Sequence, residues 1–165
     1  MAESSTARSL KRTSSPRKPS AAVADVDTSY LETLTGYNAR RAALTIISVF
    51  LERMAQYQLR PVDFSVLSLI AHNPGITSRQ LCGALDILPP NLVGMLRDLE
   101  SRGVIEKREH PTDRRAQGLH VSAAGKRLQR EAQSTATQLE RDVSQALTAD
   151  ELQTLNHLLR KVYRR

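Results

Sequence analysis

Residues 89–121 read PPNLVGMLRDLESRGVIEKREHPTDRRAQGLHV, and two different periodicities meet within this stretch. Between residues 89 and 102, apolar side chains recur at three- and four-residue steps, which predicts an amphipathic helix. Gly103 ends that pattern. After it, two short apolar segments flank a polar, turn-rich tract. Residues 104–121 are therefore predicted to form a two-stranded hairpin with an exposed basic tip.

Further helices are predicted on both sides of this stretch, and most of them begin with a recognised signal. Pro61 suits the first turn of a helix, and residues 73–75 (NPG) end that helix with turn-forming residues. Thr77, followed three residues later by Gln80, forms a capping box that opens a short helix. The other predicted starts are near Ser29, after Ser122 and after Thr148.

Three of these helices carry long apolar stripes. The first is predicted as a long amphipathic helix, with the stripe Leu34, Tyr37, Arg41, Leu44, Ile47, Leu51 and Met54. The helix after Ser122 has the inward-facing candidates Leu128, Ala132, Thr135, Leu139, Val143 and Leu147. The last helix has in phase Leu152, Leu155, Leu158, Leu159 and Val162.

Composition narrows the class of protein. Among the 165 residues, Lys+Arg number 24 and Asp+Glu 17, so the formal charge is +7 and favours an anionic partner. Aromatics are only 4%, which predicts an aliphatic core. The single cysteine, Cys82, excludes a disulfide framework or a multi-thiolate metal site within one chain. No apolar segment is long enough to cross a bilayer and no secretory signal is visible, so we expect a cytoplasmic protein without membrane association.

No recognised catalytic motif is present. The four histidines lack metal-ligand spacing, and neither a nucleophile elbow nor a phosphate-binding glycine loop occurs. We therefore expect no catalytic residue, metal or cofactor. The alternative that stays open is an enzyme whose catalytic groups are distant in sequence and come together only in the folded chain.

Residues 1–28 are rich in Ser, Ala, Thr and Pro with scattered basic residues, and are predicted to form a disordered arm. That arm is either a solvated tail or a contact to DNA backbone.

The order of elements predicts a mainly α protein with a small β-hairpin wing, a winged helix-turn-helix. A helix fits the major groove of B-DNA, which is about 12 Å wide. The helix over residues 89–102 would be the recognition helix. A charged hairpin over residues 104–121 can reach the adjacent minor groove.

Four segments of the chain carry a resemblance to a known family. These are ITSRQL at 76–81, LESRG at 99–103, DRR at 113–115 and VSAAG at 121–125. Together they resemble the multiple-antibiotic-resistance regulator (MarR) family, and the similarity covers about residues 30–163.

The resemblance implies one domain over residues 29–165. Dimerisation helices at 30–57 and 122–164 would flank a winged helix-turn-helix at 61–121. Members of this family form homodimers that bind palindromic operators. Most repress transcription and release DNA when a small, often aromatic, ligand binds between the dimerisation and DNA-binding regions.

Candidate DNA contacts follow from this resemblance and from the chemistry of the side chains. Arg115 would enter the minor groove, Asp113 would hold it or a neighbouring cation, and Arg114 would contact the backbone. Alternatively, this tract is a solvated turn. On the recognition helix, Asn91 is the best base reader, since its amide matches adenine N7 and N6. The other candidates are Pro89, Pro90 and Val93 for thymine methyl groups, and Arg79 and Arg97 for phosphates.

This recognition helix departs from the common family pattern, because its first turn carries prolines in place of polar or basic residues. The two prolines are equally explained as a rigid helix start. The departure bears on which operator is bound more than on whether DNA is bound.

The resemblance also suggests a ligand pocket. Residues 36–42 (GYNARRA) resemble the opening of members that sense aromatic acids or their coenzyme A thioesters. We therefore expect Tyr37, Arg40, Arg41 and Phe64 to line a pocket. Alternatively, Tyr37 belongs to the core, and the arginines are solvated or lie at the dimer interface. Cys82 is either a small packed residue or a redox sensor.

The sequence thus predicts a sequence-specific DNA-binding transcriptional regulator. Its expected form is a homodimeric repressor that a small effector releases from a palindromic operator. An architectural DNA-binding protein without ligand response remains the main alternative.

Overall fold

The computed structural model describes residues 26–109 and 117–164, and the chain divides into two compact units at Asn38. The elements are α1 (Ser29–Glu32), α2 (Thr35–Met54), a 3-10 turn (Ala55–Tyr57), α3 (Pro61–His72), α4 (Ser78–Leu85), α5 (Pro89–Ser101), β1 (Ile105–Glu109), β2 (Gln117–Val121), α6 (Ala123–Val143) and α7 (Ala149–Tyr163). The strands pair antiparallel, with Ile105 opposite Val121. The predicted fold class, mainly helical with a β-hairpin, is confirmed.

Local signals in the sequence set most helix starts. Pro61 and Pro89 occupy first-turn positions of α3 and α5, where a proline needs no hydrogen-bonding partner. At α4 the capping box is complete, since Thr77 Oγ1 accepts from the Gln80 amide and Gln80 Oε1 accepts from the Thr77 amide at 2.9 Å.

A second capping box opens α7. Glu151 Oε2 accepts the Thr148 amide at 2.8 Å, and this bond, with that from the Thr148 hydroxyl, lowers the pKa of Glu151.

The first long helix is confirmed as α2, which carries the predicted stripe from Tyr37 to Met54. A separate short helix precedes it, since α1 ends at Glu32 and α2 begins at Thr35. The Thr33 hydroxyl donates to the Tyr30 carbonyl, and the side-chain amide of Asn38 donates through Nδ2 to the Glu32 carbonyl, both at 2.7 Å. These side chains satisfy carbonyls that a continuing helix would have used.

One prediction about the long helices is wrong: Leu147 was expected on the inner face of α6. That helix ends at Val143, and the Ser144 hydroxyl donates to the Glu140 carbonyl. Leu147 therefore lies beyond the helix, where its side chain is exposed. Ala132 and Leu139 are buried as predicted, while Leu128, Thr135 and Val143 are half-buried.

The core lies where α3, α4, α5, the hairpin and parts of α2 and α6 meet. It is almost entirely aliphatic, as the composition predicts. Its most deeply buried members are Met54, Val66, Leu67, Ile70, Leu81, Leu92, Leu99, Leu119, Ala132 and Leu139. We call α3, α4, α5 and the hairpin the winged head.

Apolar side chains on two helices remain uncovered in the single chain. On α2 they are Leu44, Ile47 and Leu51. On α7 they are Leu155, Leu158, Leu159 and Val162. No residue of α7 is buried. Within the described residues, no helix has the length and apolar character needed to cross a bilayer.

Candidate nucleic-acid interface

The recognition helix α5 has one buried face and one exposed face. Leu92, Leu96 and Leu99 are buried against the core, so the opposite face is turned outward. The five predicted contact residues on this helix, Pro89, Pro90, Asn91, Val93 and Arg97, are all exposed. Val93 is apolar and yet 54% exposed, which leaves its methyl groups free for an external apolar contact.

The exposed residues of α5 form a continuous strip. Residues three and four positions apart are neighbours on a helix, so Pro90, Val93 and Arg97 lie along one face. The first turn of α5 contains no acidic residue. Pro89 and Pro90 have no amide N–H, and the amides of Asn91 and Leu92 both donate to the Leu88 carbonyl, so this helix start offers side chains and not backbone donors to DNA.

Arg79 lies in the first turn of the preceding helix α4 and is also exposed. Within the part of the chain that the structure describes, neither Arg79 nor Arg97 forms an ion pair. The exposure of both guanidinium groups suits contact with phosphate oxygens. Asp113, Arg114 and Arg115 lie outside the described residues, so their assigned roles stay predictions.

Backbone hydrogen bonds join the hairpin to the segment between α3 and α4. The Gly75 amide donates to the Leu119 carbonyl at 2.8 Å, and the Leu119 amide donates to the Ile76 carbonyl at 2.9 Å. Gly75 has φ +88°, a conformation that favours glycine. A Cβ on Gly118 would lie 3.1 Å from Gly75 Cα, so the two segments approach as closely as glycines allow.

The start of α6 is held against the base of the hairpin. The Ser122 hydroxyl donates to the Gly103 carbonyl at 2.6 Å and accepts from the Gly125 amide at 3.0 Å. A Cβ on Gly125 would lie 2.0 Å from the Val104 carbonyl oxygen. The VSAAG segment is therefore explained by close packing, because only glycine fits at its last position.

Sequence reasoning missed Arg102, which ties the end of α5 to the end of α2. Its guanidinium donates to the Tyr57 carbonyl at 2.8 Å and to the Gln58 carbonyl at 3.0 Å. The Tyr57 hydroxyl in turn lies 3.0 Å from Thr135 Oγ1 on α6. These bonds connect the recognition helix to both long helices. No local signal reveals them, since the acceptors of Arg102 lie 44 and 45 residues earlier in the sequence.

The structure does not bring the four predicted pocket residues together around a measured cavity. Arg40 and Arg41 are exposed, and Tyr37, in the first compact unit, is half-buried. Phe64 packs edge-to-face against Phe50 with ring centroids 5.7 Å apart. The four cavities measured among the described residues are lined by other side chains. The pocket therefore stays a prediction.

One further observation concerns the same part of α3. The Ser68 hydroxyl is buried without a hydrogen-bond partner among the described residues. It lies one turn after Phe64 on the same helix face.

Cys82 is half-buried and packs against the core, which favours a small packed residue over a redox sensor.

Comparisons with known proteins agree with this architecture. A model of the MarR family matches residues 57–116. A putative transcriptional regulatory protein for the hcr operon of Thauera aromatica is 28% identical over 130 residues, 78% of each chain. The homoprotocatechuate degradative operon repressor of Escherichia coli is 25% identical over 127 residues, 77% of this chain and 84% of the relative.

A solved structure is closer in sequence than either of these two relatives. The transcriptional repressor CouR bound to a 23-mer DNA duplex is 34% identical, with a TM-score of 0.78, covering 84% of this chain and 98% of CouR. The fold and its exposed recognition helix thus define a winged-helix transcriptional regulator. The chain belongs to the MarR family.

Proposed function

We propose that the protein is a homodimeric repressor that binds a palindromic operator and releases it when a small effector binds. The observation that carries this proposal is the similarity over nearly the whole length of CouR, a repressor whose structure contains a DNA duplex. The exposed strip on α5 supplies a matching surface in this chain. No catalytic role is proposed, and binding to chromosomal DNA implies a cytoplasmic location.

Dimerisation would be driven by the uncovered faces of α2 and α7. Burying a leucine side chain fully stabilises by roughly 1.5–3 kcal/mol, so several exposed leucines on each chain are a large driving force. A second copy is the natural partner, since a two-fold interface presents the same surface on both subunits. Two heads held in this way would match the symmetry of an inverted repeat.

DNA recognition would combine three groups of contacts. Asn91 would hydrogen-bond an adenine edge, while Pro89, Pro90 and Val93 would contact thymine methyl groups. Arg79, Arg97 and Arg114 would bind phosphates and make affinity depend on salt. Arg115, held by Asp113, would enter a minor groove, where a narrow A·T-rich segment attracts arginine.

The proposed effector is an aromatic acid or its coenzyme A thioester. Arg40 and Arg41 would bind its carboxylate or phosphates, and Phe64 its ring. The buried Ser68 hydroxyl, which has no hydrogen-bond partner among the described residues, lies one turn from Phe64 and supports a ligand at this helix face. Half-sites one turn apart require recognition helices about 34–36 Å apart, so a ligand that changes this separation prevents both heads from binding together.

The test begins with selection of bound duplexes from a random pool. The proposal predicts an inverted repeat. Aromatic acids and acyl-CoA thioesters are then titrated against the fluorescent operator, and at least one should release it saturably. Tight binding to any duplex without a ligand effect would favour an architectural protein, and no binding at low salt would exclude both DNA-binding functions.

A further inference from the structure

A cavity of about 320 Å³ lies at the base of the hairpin, and none of the residues predicted for the effector pocket is among those that line it. Three elements line it: the end of α3, the hairpin and the first two turns of α6. Its size lies at the lower end of the range typical of small-molecule sites.

The lining of this cavity is strongly cationic. Arg108 comes from β1, while Lys126 and Arg130 come from successive turns of α6. His72 and His120 add two imidazoles. Among the described residues, none that lines the cavity is acidic, although Arg108 is paired with Glu106 beside it. Like charges four residues apart on a helix repel each other, so a bound anion would relieve a repulsion between Lys126 and Arg130.

The same cavity also has an apolar part. Ile70, Ala71 and Val121 contribute hydrocarbon surface from the edge of the core. Gln129, only 7% exposed, lines it as well and donates through Nε2 to Gln133 Oε1 at 2.9 Å. An apolar wall beside convergent cations suits a molecule with both kinds of surface.

We propose that this cavity binds a small amphiphilic anion, a molecule with a carboxylate or phosphate group on a short apolar body. The anionic group would lie between Lys126 and Arg130, where charge-assisted hydrogen bonds are strongest. The apolar body would lie against Ile70 and Val121.

A ligand bound in the cavity would contact the hairpin directly. The ligand would touch α3, the hairpin and α6 at once, and the hairpin is joined to the end of α3 by the Gly75–Leu119 hydrogen bond. Bound anion would therefore bias the position of the hairpin relative to the recognition helix. This consequence rests on the proposed function, whereas the binding itself does not.

The experiment uses 4-fluorobenzoate as the probe and ¹⁹F NMR as the readout, with the whole 165-residue chain free of DNA. Wild type should bind the probe saturably, and the neutral methyl ester should not bind saturably. Lys126→Gln and Arg130→Gln should each raise the Kd about tenfold, because each removes a charged hydrogen-bond donor. Arg127→Gln is the matched control, since it removes an equal charge from the same exposed helix without lining the cavity.

The outcomes separate this proposal from the proposed function. Absence of saturation in wild type, or unchanged Kd in folded Lys126→Gln and Arg130→Gln, would overturn the cavity proposal. The proposal would also be overturned if Lys126→Gln and Arg130→Gln bind the probe normally but bind DNA with a weaker salt dependence. The two cations would then be contacts to DNA phosphates. Binding of the probe by a protein that binds no duplex would support the cavity while refuting the repressor.

Discussion

The winged head and the helix α7 place their leucines in opposite environments. In the head, Leu81, Leu92 and Leu119 are at most 1% exposed. On α7, Leu155 and Leu158 are 43% and 52% exposed, although their helical spacing is equally regular. Periodicity therefore identifies an apolar face without saying what covers it. The head completes its core within one chain, whereas α7 displays a face that a second chain is proposed to cover.

The largest expected effect comes from breaking the proposed interface. Leu155→Glu together with Leu158→Glu should dissociate the dimer by several orders of magnitude. Each buried leucine contributes roughly 1.5–3 kcal/mol, and each change counts twice in a two-fold interface. Size-exclusion chromatography with light scattering measures the mass, and circular dichroism should still show a folded head. Gln153→Glu, on the opposite side of α7, is the control and should leave the mass unchanged.

The head should instead be sensitive at its closest internal contact. Gly125→Ala should lower the free energy of unfolding by about 1–3 kcal/mol or more, because the added methyl group meets the Val104 carbonyl oxygen. Urea denaturation measures this. Gly83→Ala is the control: nothing lies within 4 Å of its added Cβ, so helix propensity should stabilise the protein by up to about 1 kcal/mol. Equal effects of the two substitutions would refute the packing explanation.

The wing arginine should affect DNA binding without affecting stability. Arg115→Ala should weaken operator binding by about 1–3 kcal/mol, as expected for loss of a specific groove contact. Fluorescence anisotropy at several salt concentrations measures it. Arg114→Ala should weaken binding to all duplexes alike and reduce the salt slope by about one. Unchanged affinity of Arg115→Ala at moderate salt would show that the wing makes no contact.

The smallest effect is expected where the head joins the long helices. Arg102→Ala should lower the free energy of unfolding by about 1–2 kcal/mol, since it leaves two carbonyl groups without their charged donor. Arg102→Lys keeps the charge but lacks the fork that spans both acceptors, so it should recover only part of this loss. Full recovery by lysine in thermal denaturation would contradict the assigned geometry.

Features set by neighbouring residues could be predicted from the sequence, and features set by distant residues could not. The caps at Thr77 and Ser122 and the hairpin arise within a few positions of chain, and the structure has them as predicted. The separate helix α1 was not predicted, because the apolar stripe begins only at Leu34 and side-chain hydrogen bonds from Thr33 and Asn38 end α1 before it.

The candidate site shows the same division. The outward face of α5 follows from its helical period, so the exposure of Asn91 and Val93 could be predicted. The role of Arg102 and the cationic cavity at the base of the hairpin could not. Arg102 bonds carbonyl groups 44 and 45 residues earlier in the sequence, and the cavity forms only where the end of α3 packs against the hairpin and α6.

The mass of the 165-residue chain in solution tests the central claim most directly. Sedimentation equilibrium at submicromolar concentration, with and without the selected operator, gives the number of chains in each state. The account predicts twice the 18.3 kDa of one chain in the free protein, and two chains on each operator. A folded 18.3 kDa monomer that binds a single half-site with full affinity would contradict it.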